Sequence, residues 1–244
     1  MFPAKLLLNL IGDKVAAVFT NKTLKIWQSD LTRSSTYNSN NEITSMIQLN
    51  DSNLFISECN KTSQHNHFRL FDSTQLTSSP IQYKINSCVT ALKSFMFNRV
   101  EFIAVGNGNQ VQLLNKISST QLMIYRNLSY HNDSITCFDY NSNSSLLASG
   151  SADFSIGIWN MASYKTKYTT TNHTDQVNII ILLSNGSMLA TGSRDTTIKI
   201  WNKTNLNLIA TLDAQTTTNA IVSLGNGMFA SGGSIKPDGN LLIF

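Results

Sequence analysis

The sequence predicts an all-β repeat protein, and three observations support that prediction. A fourteen-residue pattern, Leu189–Asn202 (LATGSRDTTIKIWN), occurs 42 residues earlier as Leu147–Asn160 (LASGSADFSIGIWN), with nine of the fourteen positions identical. Both copies place β-branched residues around a turn of Gly, Ser and Asp, which is the pattern of a β-hairpin. No segment shows a helical period. A hairpin that recurs every 40–45 residues or so predicts a β-propeller of about six four-stranded blades, the last lacking its outer strand.

The hairpin recurs along nearly the whole chain when its final large apolar residue is used as the reference. Val15–Gln28 and Phe102–Asn115 match without insertions, whereas Phe55–Asp72 and Phe229–Phe244 have longer turns. The repeats are predicted to end near Trp27, Phe71, Leu114, Trp159, Trp201 and Phe244, at spacings of 44, 43, 45, 42 and 43 residues. We therefore expect residues 1–244 to form a single domain.

Each repeat divides into strands, labelled a to d in chain order, that are separated by polar turns. Repeat one is predicted to contain Lys5–Leu10, Val15–Thr20, Leu24–Trp27 and the polar outer strand Thr32–Tyr37. Repeat two contains Ile43–Leu49, Leu54–Glu58 and Phe68–Phe71, and repeat three contains Val89–Phe95, Glu101–Val105 and Val111–Leu114. The inner strands of repeats four and five are Ser134–Tyr140 and Val177–Leu183.

Repeat six supplies three strands, Ala220–Leu224, Met228–Ser231 and Leu241–Phe244. The six repeats thus have a complete set of a, b and c strands but one outer strand too few. Two arrangements fit this count: a six-bladed ring with one three-stranded blade, or a piece of a larger propeller that lacks a seventh blade. In either case we expect the edge at Leu241–Phe244 to be open to pairing with another chain.

Composition narrows the class of function. Only 13% of the residues are charged, and the net charge of +4 is spread without a run of Lys or Arg, so we expect no nucleic-acid partner. The chain has no signal-peptide core and no apolar stretch long enough for a membrane span, so we expect no membrane partner either. Three cysteines in different repeats, Cys59, Cys88 and Cys137, indicate a reducing compartment, and we expect a cytoplasmic or nuclear protein.

Repeats four and five resemble WD repeats, the propeller units of the heterotrimeric G-protein beta subunit and of many scaffold proteins. A blade of that family contains a buried, hydrogen-bonded tetrad of His in the d–a loop, Ser or Thr on strand b, Asp in the b–c turn and Trp on strand c. The resemblance implies two complete tetrads: His131, Ser149, Asp153 and Trp159, and His173, Thr191, Asp195 and Trp201. A buried Asp requires partners, and the imidazole, hydroxyl and indole groups can complete the network.

The other repeats depart from this pattern. Repeat one lacks the His and has Ala17 and Asn21 at the hydroxyl and Asp positions, and repeats two and three lack both His and Trp. Repeat six retains Ser231 but ends in Phe. The Asp that follows Trp in the family is replaced by Gln28, Asn160 and Asn202. We expect these blades to be less rigid.

Catalytic and ligand-binding interpretations are weaker than the structural one. Ser149, His131 and Asp153 are the residue types of a nucleophilic triad, but the same set recurs in repeat five together with a Trp, which favours a structural role. Cys59, His65 and His67 could form part of a metal site, although no fourth ligand is identifiable, and we expect neither a metal nor a cofactor. The run Gly106–Asn109 lacks the Lys and Ser/Thr of a phosphate loop and is interpreted as a tight turn.

A surface for partner proteins is the function that remains. The resemblance implies binding on the face where the d–a and b–c loops gather, which we call the upper face; its residues here include Thr20, Asn107, Asp133, Ala152, Asp175, Gln176 and Arg194. Arg194 is the preferred contact because Arg is enriched at interface hot spots. We expect a non-enzymatic scaffold that binds a protein or peptide. Three alternatives are a recognition or regulatory subunit of an enzyme complex such as a ubiquitin ligase, an incomplete propeller, and a hydrolase that uses an exposed His131 or His173.

Overall fold

The computed structural model describes residues 4–10, 14–28, 34–51, 53–60, 66–71, 76, 81–85, 87–118, 121–183, 187–225, 228–233 and 241–243. These residues form six antiparallel sheets, and consecutive strands pair within each sheet. Sheet one consists of β1 (Ala4–Leu10), β2 (Lys14–Phe19), β3 (Thr23–Trp27) and β4 (Ser34–Asn38). Sheet two consists of β5 (Glu42–Gln48), β6 (Leu54–Cys59), β7 (Asn66–Phe71) and β8 (Ile81–Ile85). Sheet three consists of β9 (Val89–Phe97), β10 (Val100–Asn107), β11 (Gln110–Ser118) and β12 (Gln121–Ser129).

The remaining sheets continue the pattern. Sheet four consists of β13 (Ile135–Asn141), β14 (Leu146–Ser151), β15 (Ile156–Asn160) and β16 (Lys165–Thr170). Sheet five consists of β17 (Val177–Leu182), β18 (Met188–Ser193), β19 (Thr197–Asn202) and β20 (Leu208–Asp213). Sheet six has three strands within the described residues: β21 (Thr218–Gly225), β22 (Met228–Gly233) and β23 (Leu241–Ile243). The all-β propeller prediction is confirmed, with six sheets among the described residues.

Five apolar clusters join consecutive sheets and form the core. Between sheets four and five, for example, Trp201 packs in one cluster with Ala148 and Ile158. Polar contacts follow the same boundaries: the hydroxyl of Thr44 donates to the Val89 carbonyl at 2.5 Å, and that of Thr90 donates to the Ile135 carbonyl at 2.6 Å. Each blade is therefore attached to the next by apolar packing and, at these boundaries, by a hydrogen bond to the innermost strand.

Glycines allow this close approach between blades. A Cβ on Gly150 would lie 2.7 Å from Val177 in the next sheet, and one on Gly192 would lie 2.4 Å from Thr218. The first strand of the following blade therefore occupies the space that a side chain would need. At the equivalent position of sheet six, Gly232, a Cβ would have no described atom of another residue within 4 Å.

The boundary between sheets six and one differs from the other five. Within the described residues no apolar cluster joins these two sheets. Leu7 of β1, at the position of Ile180 in β17, is 71% exposed, whereas Ile180 is 1% exposed. Val222 and Met228 of sheet six are also exposed. The apolar faces that are covered at the other boundaries are thus open to solvent here.

Candidate protein-interaction face

The tetrad residues of blade five lie together in the structure. The Thr191 hydroxyl is 2.7 Å from Nε2 of His173, and the indole N–H of Trp201 donates to the same hydroxyl at 2.8 Å. On the other side of the ring, Nδ1 of His173 is 2.7 Å from Oδ2 of Asp195. Because Thr191 accepts from Trp201, its own proton is available for Nε2, and the Nδ1 proton then bonds to the carboxylate. The four groups form one directed chain of hydrogen bonds.

Burial and hydrogen bonding act in opposite directions on the charged groups of this chain. Burial lowers the pKa of His173, and the neighbouring Asp195 only partly opposes that shift, so the imidazole is neutral. Burial raises the pKa of Asp195, but hydrogen bonds from Thr197, His173 and the Thr174 backbone outweigh it and bring the pKa to about 2. The pair is therefore a carboxylate beside a neutral imidazole at physiological pH.

In blade four, the hydroxyl of Ser155 lies between the histidine and the aspartate of the tetrad. The Ser149 hydroxyl is 2.8 Å from Nε2 of His131 and accepts the indole N–H of Trp159 at 2.8 Å. Nδ1 of His131 is 2.8 Å from the hydroxyl of Ser155, which donates to Asp153 at 2.5 Å; the direct distance from Nδ1 to the Asp153 carboxylate is 3.3 Å. Burial again lowers the pKa of His131, while hydrogen bonds, led by that of Ser155, outweigh burial and lower the pKa of Asp153.

Both histidines are buried, each with 3% of its surface exposed. A histidine that acts on an outside substrate has to reach the reacting atom within hydrogen-bond distance. Burial keeps both rings away from the surface, and both ring nitrogens of each are already engaged within the blade. The condition on which the hydrolase alternative depended is not met.

The b–c turns share one backbone conformation in three blades. The residue after the turn Asp or Asn has a positive φ in each: 67° at Lys22, 69° at Phe154 and 64° at Thr196. In blade five the Asp195 carboxylate accepts the Thr197 backbone N–H at 2.9 Å, and in blade one the Asn21 side chain accepts the Thr23 N–H at 3.3 Å. Blade one thus retains the turn although it lacks the tetrad.

In blades four and five, hydrogen bonds tie the b–c turn to the preceding loop on the upper face. The Ser193 hydroxyl donates to the Asp175 carbonyl at 3.0 Å, and the Arg194 N–H donates to the Gln176 carbonyl at 2.9 Å. In blade four, Ser151 similarly donates to the Asp133 carbonyl at 3.0 Å. The two loops of a blade therefore form one braced unit.

The predicted contact residues lie on these units, in different degrees of exposure. Thr20, Asp133 and Arg194 are exposed, and the half-buried ones are Asn107, Ala152, Asp175 and Gln176. The guanidinium of Arg194 makes no hydrogen bond or ion pair with any residue that the structure describes, whereas Asn107 accepts a hydrogen bond from Ser87 and Gln176 donates to Asn178. Arg194 is the residue of this set with a free charged group at the surface.

Blade two has a different polar network that the sequence analysis missed. Glu58 is 1% exposed, and its carboxylate accepts hydrogen bonds from Tyr37 at 2.8 Å and Ser39 at 2.7 Å. Nε of Arg69 donates to the other carboxylate oxygen at 2.7 Å. Burial and the hydrogen bond to Glu58 raise the pKa of Tyr37 to about 12.

Ser39 stands four residues before Ile43, which is the offset of His131 from Ile135. The Glu58 network therefore ties the loop of blade two to its hairpin, as the tetrad does in blade four. A charged residue within the apolar strand LFISEC was the available signal.

The structure also corrects the interpretation of the cysteines. Cys59 and Cys88, from repeats two and three, form a disulfide with their Cα atoms 5.0 Å apart, and Cys137 is free and buried. The argument from an odd number of cysteines in different repeats was wrong for this pair, because the fold brings the end of β6 next to the start of β9.

The disulfide also removes Cys59 from the suggested metal site. His65 lies outside the described residues, which contain no cluster of three metal-ligand side chains. The run Gly106–Asn109 forms the tight turn between β10 and β11.

Comparisons with known proteins agree with the fold and the repeats. Residues 123–160 and 164–202 match the family model described as WD domain, G-beta repeat. A chain of the structure titled "Crystal Structure of Mitotic Checkpoint Complex" superimposes with a TM-score of 0.76 at 18% identity, covering 100% of this chain and 81% of that one. The computationally designed Ika8 protein gives a TM-score of 0.72 at 17% identity, covering 99% and 70%. At these identities the likeness concerns the fold alone.

Two further findings complete the comparison. No curated protein matches the sequence. No described segment is a helix that could cross a membrane. The WD-repeat recognition is nevertheless confirmed, because the family model matches the two repeats that contain complete tetrads.

Proposed function

We propose that this WD-repeat β-propeller is a non-enzymatic scaffold that binds protein or peptide partners through its upper face. One observation carries the proposal: on blade five the braced loops hold the exposed residue Arg194, whose guanidinium pairs with no described residue, above a buried and fully engaged tetrad. The histidines of the two tetrads are engaged inside their blades, whereas Arg194 is exposed and suited to recognition. The proposal treats residues 1–244 as one domain.

A rigid display surface is favourable for binding. Loops that are already held in one conformation lose little conformational entropy when a partner binds, so more of the contact energy appears as affinity. Arg is over-represented among interface hot spots because its planar guanidinium can pair with carboxylates and stack on aromatic rings. We therefore infer an acidic or aromatic contact on the partner opposite Arg194.

The class of partner is supported by the match of residues 123–160 and 164–202 to the WD-repeat model, because the sequence resembles a family that includes many scaffold proteins. A role as the recognition subunit of a ubiquitin ligase is less well supported. The Asp that the corresponding family motif requires after Trp is Asn160 or Asn202 here, and both side chains accept backbone N–H groups of the following turn.

The test compares two charge reversals on opposite faces. Arg194→Glu changes the upper face, and Arg99→Glu changes an exposed residue in the turn between β9 and β10, at the opposite end of the blades. Each variant would be used in affinity capture with quantitative mass spectrometry, after its thermal unfolding has been shown to match the parent. We expect Arg194→Glu to lose a specific partner at least tenfold and Arg99→Glu to retain it. Equal capture by both variants would contradict binding through the upper face.

A further inference from the structure

The disulfide lies on the upper face, at the boundary between two blades. Cys59 ends β6 of sheet two, and Cys88 immediately precedes β9 of sheet three. Cys59 is buried with 2% of its surface exposed, and Cys88 is half-buried. The bond therefore connects two sheets that are also held by apolar packing and by hydrogen bonds from Thr44 and Ser57 to the Val89 carbonyl. Further from the upper face, the Ser94 hydroxyl donates to the Gln48 carbonyl and Lys116 pairs with Asp51.

The two cysteines occupy the positions of predicted partner contacts. Cys59 follows Glu58, which pairs with Ile43, just as Arg194 follows Ser193, which pairs with Val177. Cys88 precedes the first residue of β9, just as Gln176 precedes the first residue of β17. At the boundary of blades two and three, a covalent bond thus occupies the positions of the contact residues predicted on blade five.

This boundary lacks the braces of blades four and five. Ile56 stands at the tetrad hydroxyl position of blade two, and Ile85, four residues before Val89, stands at the tetrad histidine position of blade three. The Glu58 network attaches blade one to blade two but does not reach β9. Among the described residues, the disulfide is the covalent link between blades two and three on the upper face. Its reduction would leave the loops on either side of it less constrained.

We propose that Cys59 and Cys88 form a reversible redox clasp that controls the rigidity, and with it the binding competence, of the blade two and three side of the upper face. The effect on binding rests on the proposed scaffold function, whereas the effect on rigidity does not. The oxidant is a low-molecular-weight disulfide such as oxidised glutathione. The more exposed Cys88, as thiolate, attacks one sulfur of it, forms a mixed disulfide and releases one small thiolate. The Cys59 thiolate then attacks the Cys88 sulfur and releases the second. Two cysteine thiols are oxidised and one small disulfide is reduced to two thiols.

The test measures thiol state and amide exchange on the same samples. The full chain would be equilibrated in glutathione buffers from fully oxidised to fully reduced, alkylated, and mapped by mass spectrometry without added reductant. Hydrogen exchange would then be followed in β6, β9 and, as the internal reference, β18 of blade five. We expect Cys59 and Cys88 to be protected from alkylation together in the oxidised buffer. We expect reduction to speed exchange at the ends of β6 and β9 tenfold or more, with β18 unchanged.

Two variants keep the result interpretable. Cys88→Ser should behave like the reduced protein in every buffer, and Cys137→Ala, which alters the buried free thiol of β13, should still respond to glutathione like the parent. Independent alkylation of Cys59 and Cys88 in the oxidised buffer would overturn the clasp, as would identical exchange in both redox states. Since neither readout involves a partner, failure of the clasp is distinguishable from failure of the scaffold proposal.

Discussion

Blades two and five solve the same structural problem with different chemistry. Blade five holds its outer loop to its hairpin through His173, Thr191, Asp195 and Trp201, a network with one carboxylate and a neutral ring. Blade two holds the equivalent loop through the fully buried carboxylate of Glu58. Both blades place a buried acceptor between loop and strand, and the tetrad is one way to supply it.

A second comparison, between blades one and five, shows that the hairpin does not depend on the tetrad. In blade five the Trp ring is completely buried between blades, while Trp27 of blade one, at the same repeat position, is only half-buried. Blade one has no His and no hydroxyl at the tetrad positions, yet retains the turn and the strand pairing. The hairpin forms without the tetrad; the tetrad fixes the hairpin to its loop.

The largest expected difference is between the two tryptophans. Trp201→Ala removes a fully buried ring and its hydrogen bond, and we expect it to lower the free energy of unfolding by roughly 3–5 kcal/mol. Trp27→Ala removes a half-buried ring at the same repeat position, and we expect at most about half that loss, since a cavity is not enclosed. Urea unfolding of both variants measures the difference. Similar losses would mean that the Trp27 face is covered in solution.

The Glu58 network should come next. Glu58→Ala leaves the guanidinium of Arg69 and the hydroxyls of Tyr37 and Ser39 without their shared acceptor, and we expect a loss of about 2–4 kcal/mol. Glu58→Gln, the matched control, retains an acceptor oxygen and should lose less. The measurement is chemical denaturation of the two variants beside the parent. If Gln is as harmful as Ala, the negative charge rather than the acceptor stabilises blade two.

A smaller effect is expected at the tetrad hydroxyl. Thr191→Val keeps the shape but removes the acceptor for Trp201 and the donor for His173, and we expect it to cost about 1–3 kcal/mol. Thr191→Ser reproduces the hydroxyl that Ser149 provides in blade four and should cost less than Val. Thermal unfolding distinguishes the pair, and equal stability of Val and Ser would argue against a role for the hydroxyl.

The smallest effect should be a pH dependence of stability that arises from the tetrad histidines of blades four and five. Burial lowers the pKa values of His131 and His173 in the folded chain below the unfolded value of about 6.5. At a pH between the folded and unfolded values, the unfolded chain therefore binds more protons than the folded chain. Stability is therefore fully present above about pH 6.5 and falls as the pH drops below it. We expect the melting temperature of the parent to fall between pH 7.5 and pH 5.5. His173→Gln should show a smaller fall, and an unchanged slope would assign the effect to other groups.

The fold could be predicted because its pattern repeats along the sequence. Features that occur only once could not be predicted. The spacing of Trp159 and Trp201 placed the blades, and most strand ends differ from the predicted ones by one or two residues. The tetrad side chains could be proposed because their offsets recur. Glu58, Tyr37 and Arg69 occur once, from three different strands, and a network that occurs once leaves no period in the sequence.

The disulfide could not be predicted for a related reason. Cys59 and Cys88 are 29 residues apart, and only the closeness of β6 and β9, which belong to different sheets, brings them together. Their count and spacing suggested unpaired thiols because sequence distance does not report which turn of one blade meets which loop of the next. The contact residues of the upper face, Arg194 included, remain a proposal, since exposure alone does not identify a partner.

Gly232 could serve as a marker that separates assembly from folding. The same substitution at Gly192 would place a methyl group 2.4 Å from Thr218, so Gly192→Ala should impair folding of the chain by itself. At Gly232 the methyl group would meet no described residue within 4 Å. Gly232→Ala should therefore be silent in the isolated protein and become harmful only when another sheet packs against blade six. If Gly232→Ala folds normally in isolation but loses its function in the cell, another sheet covers this face of blade six there.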